Sequence, residues 1–164
     1  SASIVIVTCS TSKAKQKKAG EQVDDPSGDA IERLMREAGH RIVGRTLIPD
    51  QMGLIRTTVR KALRSAADAV IITGGTGVSP SDVTVEAVTP IVEKEIPGFG
   101  ELLRKASYDT IGSSAMMTRA TAGVVRGKAV FCLPGSPDGV TTAVSRLIIP
   151  ELGHLLSIAR QGKT

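Results

Sequence analysis

Two aspartates and a cluster of glycines carry the chemistry that this sequence could perform. Between Asp68 and Thr84 a short apolar run breaks into Thr73, Gly74, Gly75, Thr76 and Gly77, and then into Ser79, Asp82 and Thr84. Glycines at the end of a strand remove the Cβ atoms that would keep backbone N–H groups away from a ligand. Ligands gather beyond the carboxyl ends of strands in parallel α/β sheets, and oriented N–H groups there suit a phosphate. Hydroxyls of Ser27, Thr76, Ser79 and Ser136 add donors. Asp50 and Asp82 would then face an anion, which like-charge repulsion disfavours unless a cation intervenes. Mg²⁺ is that cation, since it is commonly held by one or two carboxylates together with substrate phosphates and waters. Structural alternatives stand beside each reading. The glycines can form a tight turn with no ligand, Asp50 can start a turn or cap a helix after Pro49, and Asp82 can cap a helix beginning at Thr84. The stretch has neither the Lys-Ser/Thr ending of a P-loop nor the full dinucleotide fingerprint.

Other reactive residues give weaker signals. His40 and His154 lack the spacing of a metal pair or a triad, which weighs against Ser-His-Asp hydrolysis. A phosphate nucleophile needs no such base, because a phosphomonoester with a second pKa of about 6 is already ionised at neutral pH. Arg119 can fork onto an anion or stand exposed at a strand end. Glu86 and Glu93 read as the polar side of a helix and require no function. The basic run Lys13 to Lys18 is either a mobile solvated loop or a flexible cover attracting polyphosphate. Cys9 and Cys132 have no zinc spacing and read as small core residues in a reducing compartment.

The elements that must position these groups follow from pattern. A chain of 164 residues fits a single domain over its whole length, 1–164, with a core of its own. Only Phe99, Phe131 and Tyr108 are aromatic, so the core is aliphatic and there is no stacking platform for single-stranded nucleic acid. The net charge of +5 favours anionic partners. No apolar run reaches the length of about 18 residues expected of a membrane span, and the chain reads as cytoplasmic. Strands are predicted at Ile4 to Val7, Arg41 to Ile48 and Ala69 to Ile72. Between them lie helices through Ile31, Leu34, Met35 and Ala38, capped by Ser27 beside Gly28, and through Leu54 to Leu63. Consecutive βαβ units imply a mainly parallel sheet with helices on both faces. Thr84 to Glu95 reads as a helix interrupted near Pro90. Met116 to Val125 and Lys128 to Leu133 flank Arg126-Gly127 like a hairpin, so one strand runs antiparallel. Pro134, Gly135 and Ser136 make a second glycine turn before a helix through Val140, Val144 and Leu147, and Pro150 starts a terminal helix. Strand ends at Cys9, Thr73 and Leu133 thus bring loops to one edge, where a pocket is expected.

In order along the chain, Ile72-Thr-Gly-Gly-Thr-Gly-Val-Ser-Pro-Ser-Asp-Val-Thr-Val-Glu-Ala87, Pro97-Gly-Phe-Gly100, Thr118-Arg-Ala-Thr-Ala-Gly123 and Leu133-Pro-Gly-Ser-Pro137 resemble the MoaB/MogA family of molybdenum-cofactor biosynthesis proteins. The segment Gly98 to Ser107 is closer to the MoaB branch. The resemblance implies a three-layer α/β/α sandwich, trimers or hexamers, and dealings with other molybdenum-cofactor enzymes. It also implies adenylylation of molybdopterin by Mg·ATP with release of pyrophosphate. Gly74, Gly75, Thr76, Gly77, Asp82 and Thr84 match the family's glycine loop and first acidic site. Asp50 matches its second acidic site, while Ser27-Gly28 and Pro134-Gly135-Ser136 match its other pocket loops. Both aspartates are kept, which favours an active enzyme. The alternatives are a non-catalytic molybdopterin carrier and a related domain acting on another phosphorylated cofactor.

Overall fold

The computed structural model describes residues 1–162. Its sheet is built from β1 (Ser3–Cys9), β2 (Arg41–Ile48), β3 (Ala69–Thr73), β4 (Lys94–Glu95), β5 (Thr121–Val125) and β6 (Lys128–Leu133). They lie in the order β2-β1-β3-β6-β5-β4. The first four in that order are mutually parallel, and β5 is antiparallel to both neighbours. One strand is therefore reversed, as the hairpin signal at Arg126-Gly127 predicts, with Arg126 and Gly127 both at positive φ.

The helices are α1 (Thr11–Lys18), α2 (Pro26–Glu37), α3 (Met52–Arg64), α4 (Thr84–Val88), α5 (Pro97–Ile111), α6 (Pro137–Ala143) and α7 (Ile149–Ala159). Side chains alternate across the sheet with the two-residue strand period. Ile4, Ile6, Ile71 and Phe131 pack in one core with Ile31, Leu103, Val144 and Leu152 of the helical layer on that side. Val7, Val70, Ile72 and Cys132 pack in the other with Ile55 and Val59 of α3 and Ala87 and Val88 of α4. The sandwich is thus three layers deep. Its core is aliphatic apart from Phe99 and Phe131, whose rings tilt by 60° at 5.3 Å.

Several local expectations change. The basic run is not a loop but α1, started by the Ser10 side chain accepting from the Lys13 N–H. The cap of α2 is Asp25 rather than Ser27, because the carboxylate accepts from Gly28 N–H while Pro26 occupies the first turn. The helix expected to Glu95 stops at Val88. A 3₁₀ turn over Thr89–Ile91 follows, where Pro90 supplies no N–H, and the chain then enters β4. The strand expected from Met116 begins only at Thr121, after a 3₁₀ stretch over Gly112–Met117. A π-type stretch, Val144–Ile148, makes α6 and α7 one continuous helical run, and Pro150 follows it. No described helix is long and apolar enough to cross a membrane.

Candidate functional site

The carboxyl ends of β1, β3 and β6 open into a cleft of about 350 Å³ lined by Thr8, Cys9, Lys13, Asp50, Gly74 and Asp82 among others. Close backbone packing shapes its floor. Gly74 and Gly75 have φ of 97° and 72°, the left-handed region that glycine enters without strain. A Cβ on Gly74 would overlap the Cys9 carbonyl, and one on Gly75 would overlap Thr84 Oγ1. Thr84 is fully buried, and its hydroxyl donates to Gly74 O at 2.8 Å while its N–H donates to Gly75 O at 3.0 Å. The glycine turn is thus fastened from below by a threonine ten residues on.

The other rims are tied to it by hydroxyls. Thr73 Oγ1 donates to Pro134 O, and Ser27 Oγ donates to Gly135 O, each at 2.7 Å. Thr8 Oγ1 donates to Asp25 Oδ2 at 2.7 Å, and the same oxygen meets Arg45 Nη2 at 3.1 Å. Arg45 also reaches Asp29 and Glu32, so its side chain joins β2 to the start of α2. Partial desolvation works against the Arg45 charge, but these three carboxylates hold its pKa above the usual value.

Neither aspartate caps a helix. The residue that caps α3 is Gln51, the one that caps α4 is Val83, and neither cap has a side-chain hydrogen bond. Asp50 Oδ2 instead accepts from Thr11 N–H at 3.0 Å and Thr11 Oγ1 at 2.9 Å, and Thr11 Oγ1 accepts in return from Asp50 N–H. Asp82 Oδ2 accepts from Ser79 N–H at 3.0 Å, closing its own loop. In both residues Oδ1 accepts no hydrogen bond among the described residues. Among the described residues, no group of three or more His, Cys, Asp or Glu side chains is arranged to hold a metal. Two carboxylates with one uncommitted oxygen each, beside hydroxyls and backbone donors, fit a Mg²⁺ that takes its remaining ligands from phosphates and water.

The residues expected at the site divide into two sets. Ser27, Asp50, Thr73, Gly74, Gly75, Asp82 and Gly135 line the cleft. Gly28, Thr76, Gly77, Ser79, Thr84, Pro134 and Ser136 do not; Thr84 and Pro134 act through the hydrogen bonds above, and Ser136 caps α6 by accepting from Gly139 N–H. The cleft also recruits Lys13 of the basic run, weighed above as a cover for polyphosphate, together with Thr8 and Asp25, which the pattern did not single out. Their one signal was the density of hydroxyls, lysines and turn residues just after β1. Arg119 does not enter the cleft. It pairs with Glu86, which is therefore not an idle surface residue. Burial pushes the Cys9 thiol up to about 12, partly offset by a Thr84 hydrogen bond and reinforced by the Asp50 charge. Such a thiol is no nucleophile at neutral pH. His40 accepts from the Ala2 N–H, and His154 is exposed beside Glu151.

Comparison with known proteins gives a consistent picture. Residues 5–154 match the family described as "Probable molybdopterin binding domain". "Molybdenum cofactor biosynthesis protein B" of Bacillus subtilis is 42% identical over 160 residues, covering 96% of this chain and 93% of the relative. A Methanocaldococcus jannaschii protein named "Probable molybdopterin adenylyltransferase" is 39% identical over 158 residues, with the same coverage of 96% and 93%. The crystal structure of the tungsten cofactor synthesizing protein MoaB from Pyrococcus furiosus superposes with a TM-score of 0.88 at 35% identity, covering 98% of each chain.

Proposed function

This chain belongs to the molybdopterin-binding family of molybdenum-cofactor biosynthesis proteins, MoaB among them, and on that premise we propose that it is a molybdopterin adenylyltransferase using Mg·ATP. The observation that carries this reading is the pair Asp50 and Asp82, each offering a free oxygen to one cleft floored by Gly74 and Gly75. When bound there, Mg²⁺ supplies charge that offsets the negative phosphates of both substrates. An oxygen of the pterin's terminal phosphate attacks the α-phosphorus of ATP. The new P–O–P link forms as the bond from that phosphorus to the bridging oxygen breaks, and pyrophosphate leaves with the electron pair. No general base is needed, because the attacking phosphate is already ionised at neutral pH. The glycine turn and neighbouring hydroxyls orient the phosphates, and Lys13 stands at the cleft wall as a cation for the departing pyrophosphate.

The decisive experiment mixes purified protein with molybdopterin and Mg·ATP and looks for adenylyl-molybdopterin. Its formation, dependent on magnesium, is the expected result. Tight pterin binding with no product would instead make this a carrier of the same pathway.

A homo-oligomer, a trimer or a pair of trimers, belongs to the same proposal. It is supported by an apolar groove of about 360 Å³ between α5 and α7, flanked by exposed Leu102 and Ile158. Light scattering that shows only a monomer at micromolar concentrations would reject it.

A further inference from the structure

We propose that Arg119 is the positioning residue for Asp82, a clamp that holds the loop carrying this carboxylate in the geometry required for the metal. This rests on the adenylyltransferase reading only for what the carboxylate binds.

The loop has little of its own to fix it. Residues 77–82 contribute nothing to either core, and Val78 at its tip is 65% exposed. Its internal hydrogen bonds join Ser79 to Asp82 and to Ser81, which shapes the turn without anchoring it. Among the described residues, the hydrogen bonds that tie 76–82 to a distant part of the chain all come from Arg119. Its N–H donates to Thr76 O at 2.7 Å, Nε to Gly77 O at 2.9 Å, and Nη2 to Asp82 O at 3.2 Å. One residue therefore grips the start, the second residue and the end of the loop.

The guanidinium is oriented from its other edge. Glu86, in the first turn of α4, accepts from Nη1 at 2.5 Å and from Nη2 at 3.1 Å. The backbone around Arg119 is pinned in turn: Arg104 Nη1 of α5 donates to Thr118 O and to Ala120 O, both at 3.2 Å. A Cβ on Gly100 would overlap that same Ala120 carbonyl, so α5 lies directly against the segment.

A purely electrostatic role does not explain this arrangement. The side chains of Arg119 and Glu86 are 37% and 44% exposed, and water screens an ion pair there to a small net contribution. What an arginine adds is a planar fork that can serve two carbonyls and a carboxylate at once, which a lysine cannot reproduce. Four of its five N–H donors go to protein acceptors, so the fork is spent on the loop and on Glu86 rather than held out for an anion.

The test compares Arg119→Ala, Arg119→Lys and Glu86→Gln with the wild type by hydrogen exchange and by magnesium titration. In Arg119→Ala and Arg119→Lys, amides of residues 76–83 should exchange about tenfold faster or more, with β1, β3 and β6 unchanged. The magnesium concentration for half-maximal adenylylation should rise about tenfold, while the rate at saturating magnesium falls less than about threefold. Glu86→Gln should shift both readouts in the same direction by about two- to threefold. Calorimetric titration with Mn²⁺ and a non-hydrolysable ATP analogue provides a binding arm independent of turnover. Unchanged loop exchange in the folded arginine variants overturns the proposal. So does faster exchange with unaltered metal dependence, which would leave Arg119 a stabiliser of the loop alone. If Arg119→Ala does not fold, Arg119→Lys and Glu86→Gln decide by the same criteria. Failure of the wild type to form product would sink the adenylyltransferase reading, and the exchange and calorimetric arms would still judge the clamp.

Discussion

Asp50 and Asp82 face one cleft and are held in opposite ways. Asp50 is gripped at its carboxylate, through the backbone and hydroxyl of Thr11 at the first turn of α1. Asp82 is held at its backbone, by a loop whose outer anchor is Arg119. A side-chain grip fixes one oxygen and leaves the other in a set direction. A backbone grip fixes where the residue stands and leaves its carboxylate to the local turn. The first mount lies between two regular elements, β2 and α1, whereas the second is a surface loop stabilised from outside. The two carboxylates should therefore fail differently when their supports are removed, even though both serve the same cation in the proposed reaction.

The largest effect should come from the carboxylates themselves. Asp82→Asn and Asp50→Asn retain size and most hydrogen bonding but remove the charge. Each should lower adenylyl-molybdopterin formation by about 10²-fold or more, with pterin binding largely intact. Wild-type rates in both variants across a magnesium titration would remove the metal site from the account. A loss in only one would show that a single mount carries the cation.

Next in size is the floor that both mounts share. Gly75→Val places a branched side chain at positive φ and against buried Thr84. Because that contact also fastens the turn, the variant should lose nucleotide binding and stability together, by about 2 kcal/mol or more in unfolding. Calorimetric titration beside chemical denaturation separates the two. Unchanged affinity would reduce the glycine turn to a scaffold.

Much of this architecture was legible in the sequence because its determinants are local. The β-branched runs at Ile4 and Ala69 and the turn at Arg126-Gly127 announce the parallel sheet and its one reversed strand. Gly74, Gly75 and Asp82 are readable as residues of one cleft because a glycine cluster at a strand end, followed by a carboxylate, lies at the carboxyl edge of a parallel sheet. The supports were not legible, since they are long-range. Nothing near Thr11 indicates that it will meet Asp50, thirty-nine residues later. Nor does the neighbourhood of Arg119 disclose Gly77, forty-two residues earlier. Helix α1 was missed for another reason: it buries no residue, so it has no apolar face to give it a period.

The Asp50 mount can be tested at Thr11. Thr11→Val removes the hydroxyl bonds to Asp50 N–H and Oδ2 but keeps the backbone bond. It should reduce kcat/KM by about tenfold, and Thr11→Ser should restore it. Equal activity in both would mean that the backbone N–H alone positions Asp50. A smaller effect is expected for Lys13→Ala, which removes one half-buried cation from the cleft wall, where its Nζ donates to Asp24 O at 2.6 Å. It should raise KM for ATP by about threefold at low salt, a difference that shrinks as ionic strength rises.

The smallest effect should be at Cys9, which lies between the two mounts. Its carbonyl packs on Gly74, its thiol meets Thr84, and the Asp50 charge reinforces the burial that suppresses ionisation. A thiol raised to about 12 stays protonated through pH 7 and 8, and only the thiolate reacts readily with an alkylating agent. Iodoacetamide at neutral pH should therefore leave activity unchanged over a time course that fully labels the unfolded chain. Labelling should accelerate only as pH climbs toward the raised pKa. The same reagent then distinguishes the mounts: opening the Thr11 side should expose Cys9, which ends β1 two residues before α1 begins, more than opening the Arg119 side does. Rapid inactivation of the wild type at neutral pH, slowed by ATP, would show instead that the floor of the cleft is open between the two carboxylates.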